Sequence, residues 1–350
     1  MRRLLIVLFP VSLAVAFTVP ATAAEWSFYG SARMATYYQD ISKEVSPNAY
    51  YYGDNNLLWD LQGDSRVGAK VKAGNVSGQL EFGTRVNLRI LSGTWNFGAG
   101  KILVGRDYTP LDVEFLSNQV FDDDNVLNAF GTLWSRYDMV QLTMGDFKFA
   151  LVKPVTGDIN GLTGADYDTT IPKIEARYDM SFNCLKTGIY GGYNQYDIVD
   201  ATDKDYGITT YLAGMYGAAV LGPATLNGMF FYGQNLGLSG LPMAANCTPN
   251  FDPIHDDVDD NYGYGWAVTL GCKINDMLKV EAGYGAVSFK DDVPGAGRDP
   301  ACSYYLQAVI TVAKGFYITP EIGIFDYEHD GAGNDEGDVI YYGIQWKISF

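Results

Sequence analysis

Arginines set against carboxylates are the residues of this sequence best placed to do chemistry. Arg33, Arg66 and Arg85 each sit among apolar residues that alternate with polar ones. Arg106 and Arg136 bracket the stretch 108–133, YTPLDVEFLSNQVFDDDNVLNAFGTL, which carries Asp112, Glu114, Asp122, Asp123 and Asp124. Opposed charges across a narrow aqueous gap make and break no bond. They sort ions and polar solutes by field. The groups needed for covalent work are scarce. There are two histidines, His255 and His329, and neither falls beside a serine or aspartate in a pattern that would supply a base for acyl transfer or peptide cleavage. No C-x-x-C or C-x-x-C-H motif occurs among the four cysteines, so zinc and covalent haem have no support and no cofactor is expected. An enzyme is not expected.

The elements that must position these arginines are strands. In the last twelve residues, VIYYGIQWKISF, Ile340, Tyr342, Ile344, Trp346, Ile348 and Phe350 fall on one face, and Tyr341, Gly343, Gln345, Lys347 and Ser349 on the other. Period-two alternation makes a strand with one apolar face. A strand that runs to a terminal aromatic would leave an open, aggregation-prone edge unless it pairs with the first strand and closes a barrel. Apolar outside and polar inside is the pattern of a bilayer-spanning barrel, with a C-terminal strand of a soluble sandwich as the alternative.

Arg2 and Arg3 precede an apolar run, Leu4 to Val19, followed by Ala21-Thr22-Ala23. This reads as a secretory signal over residues 1–24, removed to leave 25–350 as one domain. No later segment approaches the roughly 18 apolar residues of a membrane helix. The formal charge of −17 becomes −19 once those two arginines are gone, which argues against a nucleic-acid partner. It places a negative field at mouths and loops.

Alternation predicts sixteen strands, near 26–38, 57–73, 77–85, 88–98, 101–107, 134–145, 147–156, 170–182, 185–196, 204–220, 224–236, 261–274, 277–290, 301–314, 316–328 and 339–350. Tight turns such as Gly74-Asn75, Gly145-Asp146 and Asn275-Asp276 alternate with long acidic connections such as 237–260 and 329–338. Short turns at one rim and long loops at the other is the construction of outer-membrane barrels. Sixteen strands enclose a water-filled lumen. Charges cost too much facing lipid, so Arg33, Arg66, Lys70, Lys72, Glu81 and Arg85 are expected inward. The fourth strand conflicts with itself: Leu88 and Ile90 choose one face, Trp95 and Phe97 the other, so Arg89 has no assigned side.

The stretch 108–133 mixes its carboxylates with Leu111, Val113, Phe115, Leu116, Phe121 and Phe130. A loop that folds into the barrel and packs on its wall needs such residues. A loop folded over the mouth is the alternative. Cys247 and Cys302 fall in adjacent outer-rim segments, so a disulfide between them is geometrically open. Cys184 and Cys272 lie several strands apart, at about 4.8 Å per strand, too far to bridge easily. The run DPIHDDVDDN (252–261) lacks the ligand spacing and glycine of a calcium hand, so a solvated acidic loop is favoured over a divalent-cation site.

The chain resembles the Gram-negative general porins, trimeric sixteen-stranded outer-membrane barrels. The resemblance rests on FYGSARM (28–34), SRVGAKV (65–71), GRDYTP (105–110) entering the long third loop, and the aromatic terminal strand. It covers the mature chain as architecture and its first third as motifs. It implies an arginine cluster on the wall facing acidic residues of the third loop, with Arg66 and Arg106 as members and Arg136 as a weaker match. The loop motif P-E-F-G-G is missing, so the acidic partners do not carry over singly. The second loop, near 86–87, is short, and in the family that loop latches a neighbouring subunit. The resemblance further implies a homotrimer, contact with outer-membrane lipid and lipopolysaccharide, and Phe350 as a signal to the barrel-assembly machinery. The expected function is passive diffusion of small hydrophilic solutes and ions, with a modest cation preference. The alternatives are a substrate-specific channel and a surface structural or adhesion barrel.

Overall fold

The computed structural model describes residues 24–45, 56–84, 86–113, 116–121 and 127–350. Residues 1–23 of the expected signal, and Arg85, Glu114, Asp122, Asp123 and Asp124, lie outside the described residues. The strands are β1 (Glu25–Ile41), β2 (Asn56–Leu61 and Arg66–Ala73), β3 (Val76–Gly83), β4 (Leu88–Asn96), β5 (Lys101–Tyr108), β6 (Arg136–Met144), β7 (Phe147–Val152) and β8 (Asp166–Asp168 and Lys173–Phe182). They continue with β9 (Leu185–Val199), β10 (Asp205–Leu221), β11 (Ala224–Gln234), β12 (Asn261–Lys273), β13 (Leu278–Asp291), β14 (Asp299–Ala313), β15 (Phe316–Asp326) and β16 (Asp338–Ser349). The eighteen hydrogen-bonded segments make sixteen barrel strands because β2 and β8 are each interrupted.

Each strand pairs antiparallel with its sequence neighbour, and β16 returns to β1 in the register Ser31↔Ser349 to Ile41↔Val339. The Phe350 carbonyl accepts from the Gly30 N–H at 2.8 Å, and the Phe350 N–H donates to the Gly30 carbonyl at 3.0 Å. No edge is left open at this seam, as backbone in a bilayer requires.

The alternation read from the sequence sorts the two faces. Trp26, Phe28, Val67, Leu80, Tyr342 and Ile348 are exposed on the outer face. Ser31, Arg33, Glu81, Tyr341 and Gln345 are buried on the inner one. The inner face is not polar throughout. Tyr37, Leu116, Phe121, Phe231, Leu241 and Phe325 belong to one apolar cluster. It joins the wall to Leu111, Val113, Leu116, Phe121, Leu127, Phe130 and Leu133, and to Leu236, Leu241, Ala245 and Cys247.

Two local irregularities position charge. A register shift between Glu81 and Phe82 puts Arg89 and Ile90 together opposite Glu81. This bulge re-aims Arg89 and explains why the two ends of β4 choose different faces. In β2, residues 62–65 leave the ladder. Ser65 receives a hydrogen bond from the Arg33 N–H at 2.9 Å, Gln62 N donates to the Arg33 carbonyl at 2.9 Å, and the break sets Asp64 under Arg33.

Candidate functional site

The break in β2 and the bulge in β4 bring three guanidinium groups to one carboxylate. Asp64 lies 3.2 Å from Arg33, 2.7 Å from Arg66 and 2.6 Å from Arg89. Glu81 adds contacts of 2.8 Å to Arg89 and 3.6 Å to Arg66. Tyr29 donates its hydroxyl to Glu81 at 2.9 Å. Guanidinium groups suit this crowding because each offers several donors in fixed directions. A cavity of about 1240 Å³ opens beside the cluster, bordered by Arg33, Asp64, Arg66, Lys279 and Lys347 on the wall and by 116–120 on the facing segment.

The segment after β5 is held by the wall through wall carboxylates. Glu175 of β8 accepts from the Leu111 N–H at 3.4 Å. Glu281 of β13 accepts from the Asn118 N–H at 2.8 Å and its side-chain amide at 2.6 Å. Glu321 of β15 accepts from the Val120 N–H at 2.8 Å and the Phe121 N–H at 2.9 Å. Thr269 and Gln307 donate to the Leu116 and Asn118 carbonyls at 2.7 and 2.8 Å. Arg177 donates to the Asp112 carbonyl. The Phe121 ring stacks on Tyr341, centroids 3.8 Å apart. A buried irregular segment must find partners for its backbone polar groups. Charged acceptors give the strongest such bonds.

The predicted site residues therefore divide. Arg33 and Arg66 meet, together with Arg89, which alternation left unassigned. Arg136 is buried, with its guanidinium 4.7 Å from the centre of the Trp134 ring and 5.5 Å from that of Tyr108. Arg106 does not join the cluster. Its register partners are Leu91 and Asp138, in a row with exposed Leu91, and it contacts Asp138 at 3.4 Å. Asp112 was expected to face wall arginines with its carboxylate. That carboxylate accepts from the Ser135 N–H at 3.1 Å, at the base of its own segment. Among the described residues, the acids in printed contact with Arg33, Arg66 and Arg89 are Asp64 and Glu81, from the wall itself. Glu81 was legible as inward. Asp64 had a signal in Gly63-Asp64, a turn pair inside an otherwise alternating strand.

Cys247 and Cys302, the candidate disulfide pair, are free thiols in the structure. Cys247 lies in the inner apolar cluster, and burial pushes its thiol up to about 12. Cys302 pairs in register with Ala286, between inward Ala301 and Ser303, and so points to the opposite face of the wall. Among the described residues no group of three or more His, Cys, Asp or Glu side chains is placed to hold a metal ion.

The closed sixteen-stranded barrel, apolar outside, is the porin-like outer-membrane fold. No family model and no curated sequence matches the chain. Solved structures do. The outer-membrane channel DcaP of Acinetobacter baumannii superposes with a TM-score of 0.72 at 16% identity, covering 93% of this chain and 97% of that one. The anion-selective porin of Comamonas acidovorans gives 0.61 at 10% identity, over 93% and 100%. OmpF of Salmonella typhi, solved with daunomycin, gives 0.59 at 12% identity, over 92% and 97%. At these identities the likeness is one of fold.

Proposed function

We propose that the chain is an outer-membrane channel through which small hydrophilic solutes and ions diffuse passively. The observation that carries this reading is the cavity of about 1240 Å³ between a segment hydrogen-bonded to inward carboxylates and a wall bearing Arg33 and Arg66. A segment folded into the lumen narrows the path, and the basic wall applies the field that filters charge. In this reading residues 1–24 are the export signal and 25–350 the membrane domain. The constriction is formed by Arg33, Arg66 and Arg89, with Arg136 beside them and Glu114 and Asp122–Asp124 carried on the loop. Phe350 is read by the barrel-assembly machinery, and the functional unit is a homotrimer in lipid and lipopolysaccharide. Planar-bilayer recording tests the reading. Stepwise conductance increments proportional to bulk conductivity are expected. A folded protein that gives no steps refutes it.

A substrate-specific channel is the second reading. The apolar cluster joining Leu111, Leu116, Phe121, Phe130, Leu236 and Leu241 to the wall favours it, because it fills lumen that a wide general pore leaves to water.

A further inference from the structure

Residues 236–247, between β11 and β12, make contacts that joining two neighbouring strands does not require. Their neck is closed by the Gly237 N–H, which donates to the Cys247 carbonyl at 3.0 Å. Beyond the neck the segment touches strands far apart in the ring. The Tyr137 hydroxyl of β6 donates to the Gly240 carbonyl at 2.9 Å. The buried Lys173 ammonium of β8 donates to the Ser239 carbonyl at 2.8 Å. The Asn246 N–H donates to the Asp299 carboxylate of β14 at 3.1 Å. These three wall residues stand at the ends of their strands next to the long connections, and β6 and β14 lie on opposite walls of the sixteen-stranded ring. The segment also meets the one that follows β5, for the Ala244 N–H donates to the Ala129 carbonyl at 3.0 Å. Lys173 pairs with Glu175 at 2.9 Å, and Glu175 accepts from the Leu111 N–H at 3.4 Å. One buried ion pair on β8 thus holds a residue of each segment.

We infer that residues 236–247 form a strut across the outer half of the lumen that sets the width of solute the channel admits, with Lys173 as its positioning residue. The inference rests on the channel reading for its purpose, since it adds to the segment after β5 a second limit on width. A loop folded back over its own two strands needs no bond to a distant wall. Anchors on opposite walls hold backbone across the aperture, so a solute must pass beside it. Lys173 suits the task because its ammonium carries three donors on one compact head and reaches Glu175 and Ser239 together. It also lies 5.3 Å from the centre of the Tyr137 ring, whose hydroxyl holds the next residue, Gly240. Gly240 has a φ of +74°, and an added Cβ would meet the Tyr137 hydroxyl at 2.1 Å, so glycine is what lets the chain lie this close to the wall. Burying two charges costs desolvation that their attraction only partly returns, so the pair places the segments more than it stabilises the barrel.

The test compares the full barrel with a variant in which residues 238–246 are replaced by Asn-Gly, a two-residue hairpin turn that suits the closed neck. The barrel strands, Lys173 and Glu175 are untouched in that variant. Both proteins are placed in liposomes, where osmotic swelling follows the entry of arabinose and raffinose, and in planar bilayers. The wild type should admit arabinose and exclude raffinose. The shortened variant should admit both and carry more current per channel. Lys173→Met combined with Glu175→Gln leaves no buried charge unpaired and removes the charged donor to Ser239. It should raise the undocked fraction of the strut about tenfold, seen as brief excursions to the conductance of the shortened variant. If Lys173 only stabilised the barrel, this double variant would lower the folded amount, read by heat-modifiable mobility, and leave the raffinose-to-arabinose ratio of the folded protein unchanged; that result overturns its positioning role. Should the double variant not fold at all, the shortened variant decides. The same raffinose-to-arabinose ratio in wild type and shortened variant overturns the strut and leaves the channel. A silent wild type beside a conducting shortened variant refutes the channel reading of the intact chain and supports the strut, and silence from both refutes both.

Discussion

Glu321→Ala should loosen the segment after β5 without unfolding the barrel. Glu321 is buried on β15, and its carboxylate receives the Val120 and Phe121 N–H groups at 2.8 and 2.9 Å. Hydrogen bonds to a charged acceptor contribute about 1.5–3 kcal/mol each. Two N–H groups share one carboxylate here, so the lower end applies, about 3 kcal/mol for the pair. That is about two decades in the ratio of docked to undocked segment. The segment does not leave altogether, because Glu281, Glu175, Thr269 and Gln307 still hold Asn118, Leu111 and Leu116. Brief excursions should therefore become frequent. Single-channel recordings of Glu321→Ala should show flicker that the wild type lacks, and protease should cut within 116–133 at least tenfold faster. Glu321→Gln, whose amide oxygen serves one N–H while its NH₂ meets the other, should fall between. The Glu281→Ala/Glu321→Ala double variant should exceed either single change. Quiet traces and unchanged protection in Glu321→Ala would refute the argument that wall carboxylates hold this segment.

Replacing Arg66 and Arg89 together by Ala should shift the reversal potential in a salt gradient toward cations, whereas Arg106→Ala should leave it within error, since Arg106 is engaged with Asp138 outside the cluster. A larger effect from Arg106 would reverse that assignment. Removing Phe350 deletes the last backbone pair with Gly30 and should lower the folded fraction in the membrane severalfold, read by heat-modifiable mobility; wild-type levels would refute it. His255 sits in an outer-rim hairpin turn, and the Asp252 carboxylate beside it holds its imidazolium above the ordinary 6.5. The contact is full below that ordinary value and lost as pH rises through the raised one. In Asp252→Asn the histidine midpoint, followed by NMR, should fall; an unchanged midpoint would refute the pairing.

Fold was legible here because alternation is a local property. Trp26 and Phe28 against Ser31 and Arg33, or Ile340 and Tyr342 against Tyr341 and Gln345, declare their faces within a few residues. The site was less legible because it depends on departures from alternation. The bulge at Glu81 sends Arg89 inward, and nothing local to 88–97 marks which end of that strand breaks step. Arg106 follows Gly105, whose backbone φ of +126° suits glycine and whose added Cβ would meet the Leu91 carbonyl at 2.2 Å. The motif G-R-D-Y predicted an inward arginine, but register sets this one beside Leu91. Glu175, Glu281 and Glu321 carry no local mark of their role in the sequence. Their task is set by contacts more than sixty residues away in sequence, which no pattern of period two contains.

The same contacts change how charge acts along the channel. The sequence set loop carboxylates against wall arginines and put a negative field at the mouth. In the structure the acids divide differently. Glu321 lies behind the segment whose N–H groups it accepts, and those dipoles offset part of its field, whereas Glu281 lines the open cavity. Arg33, Arg66 and Lys347 border the open cavity directly. The outer rim carries exposed Asp203, Asp256, Asp257 and Asp335. On the proposed channel reading, a solute passes an acidic region and then a basic one, in series. Screening over about 8 Å at physiological salt keeps the two regions from averaging. Charge reversed along a pore conducts better in one direction, because one polarity of voltage fills both regions with mobile ions and the other empties them. Oriented channels should therefore rectify in 0.1 M potassium chloride and become nearly ohmic at 1 M, where the screening length is about 3 Å. Lys347→Gln should reduce the rectification. A linear current–voltage relation at low salt would show that the basic seam and the acidic rim do not act on the same path.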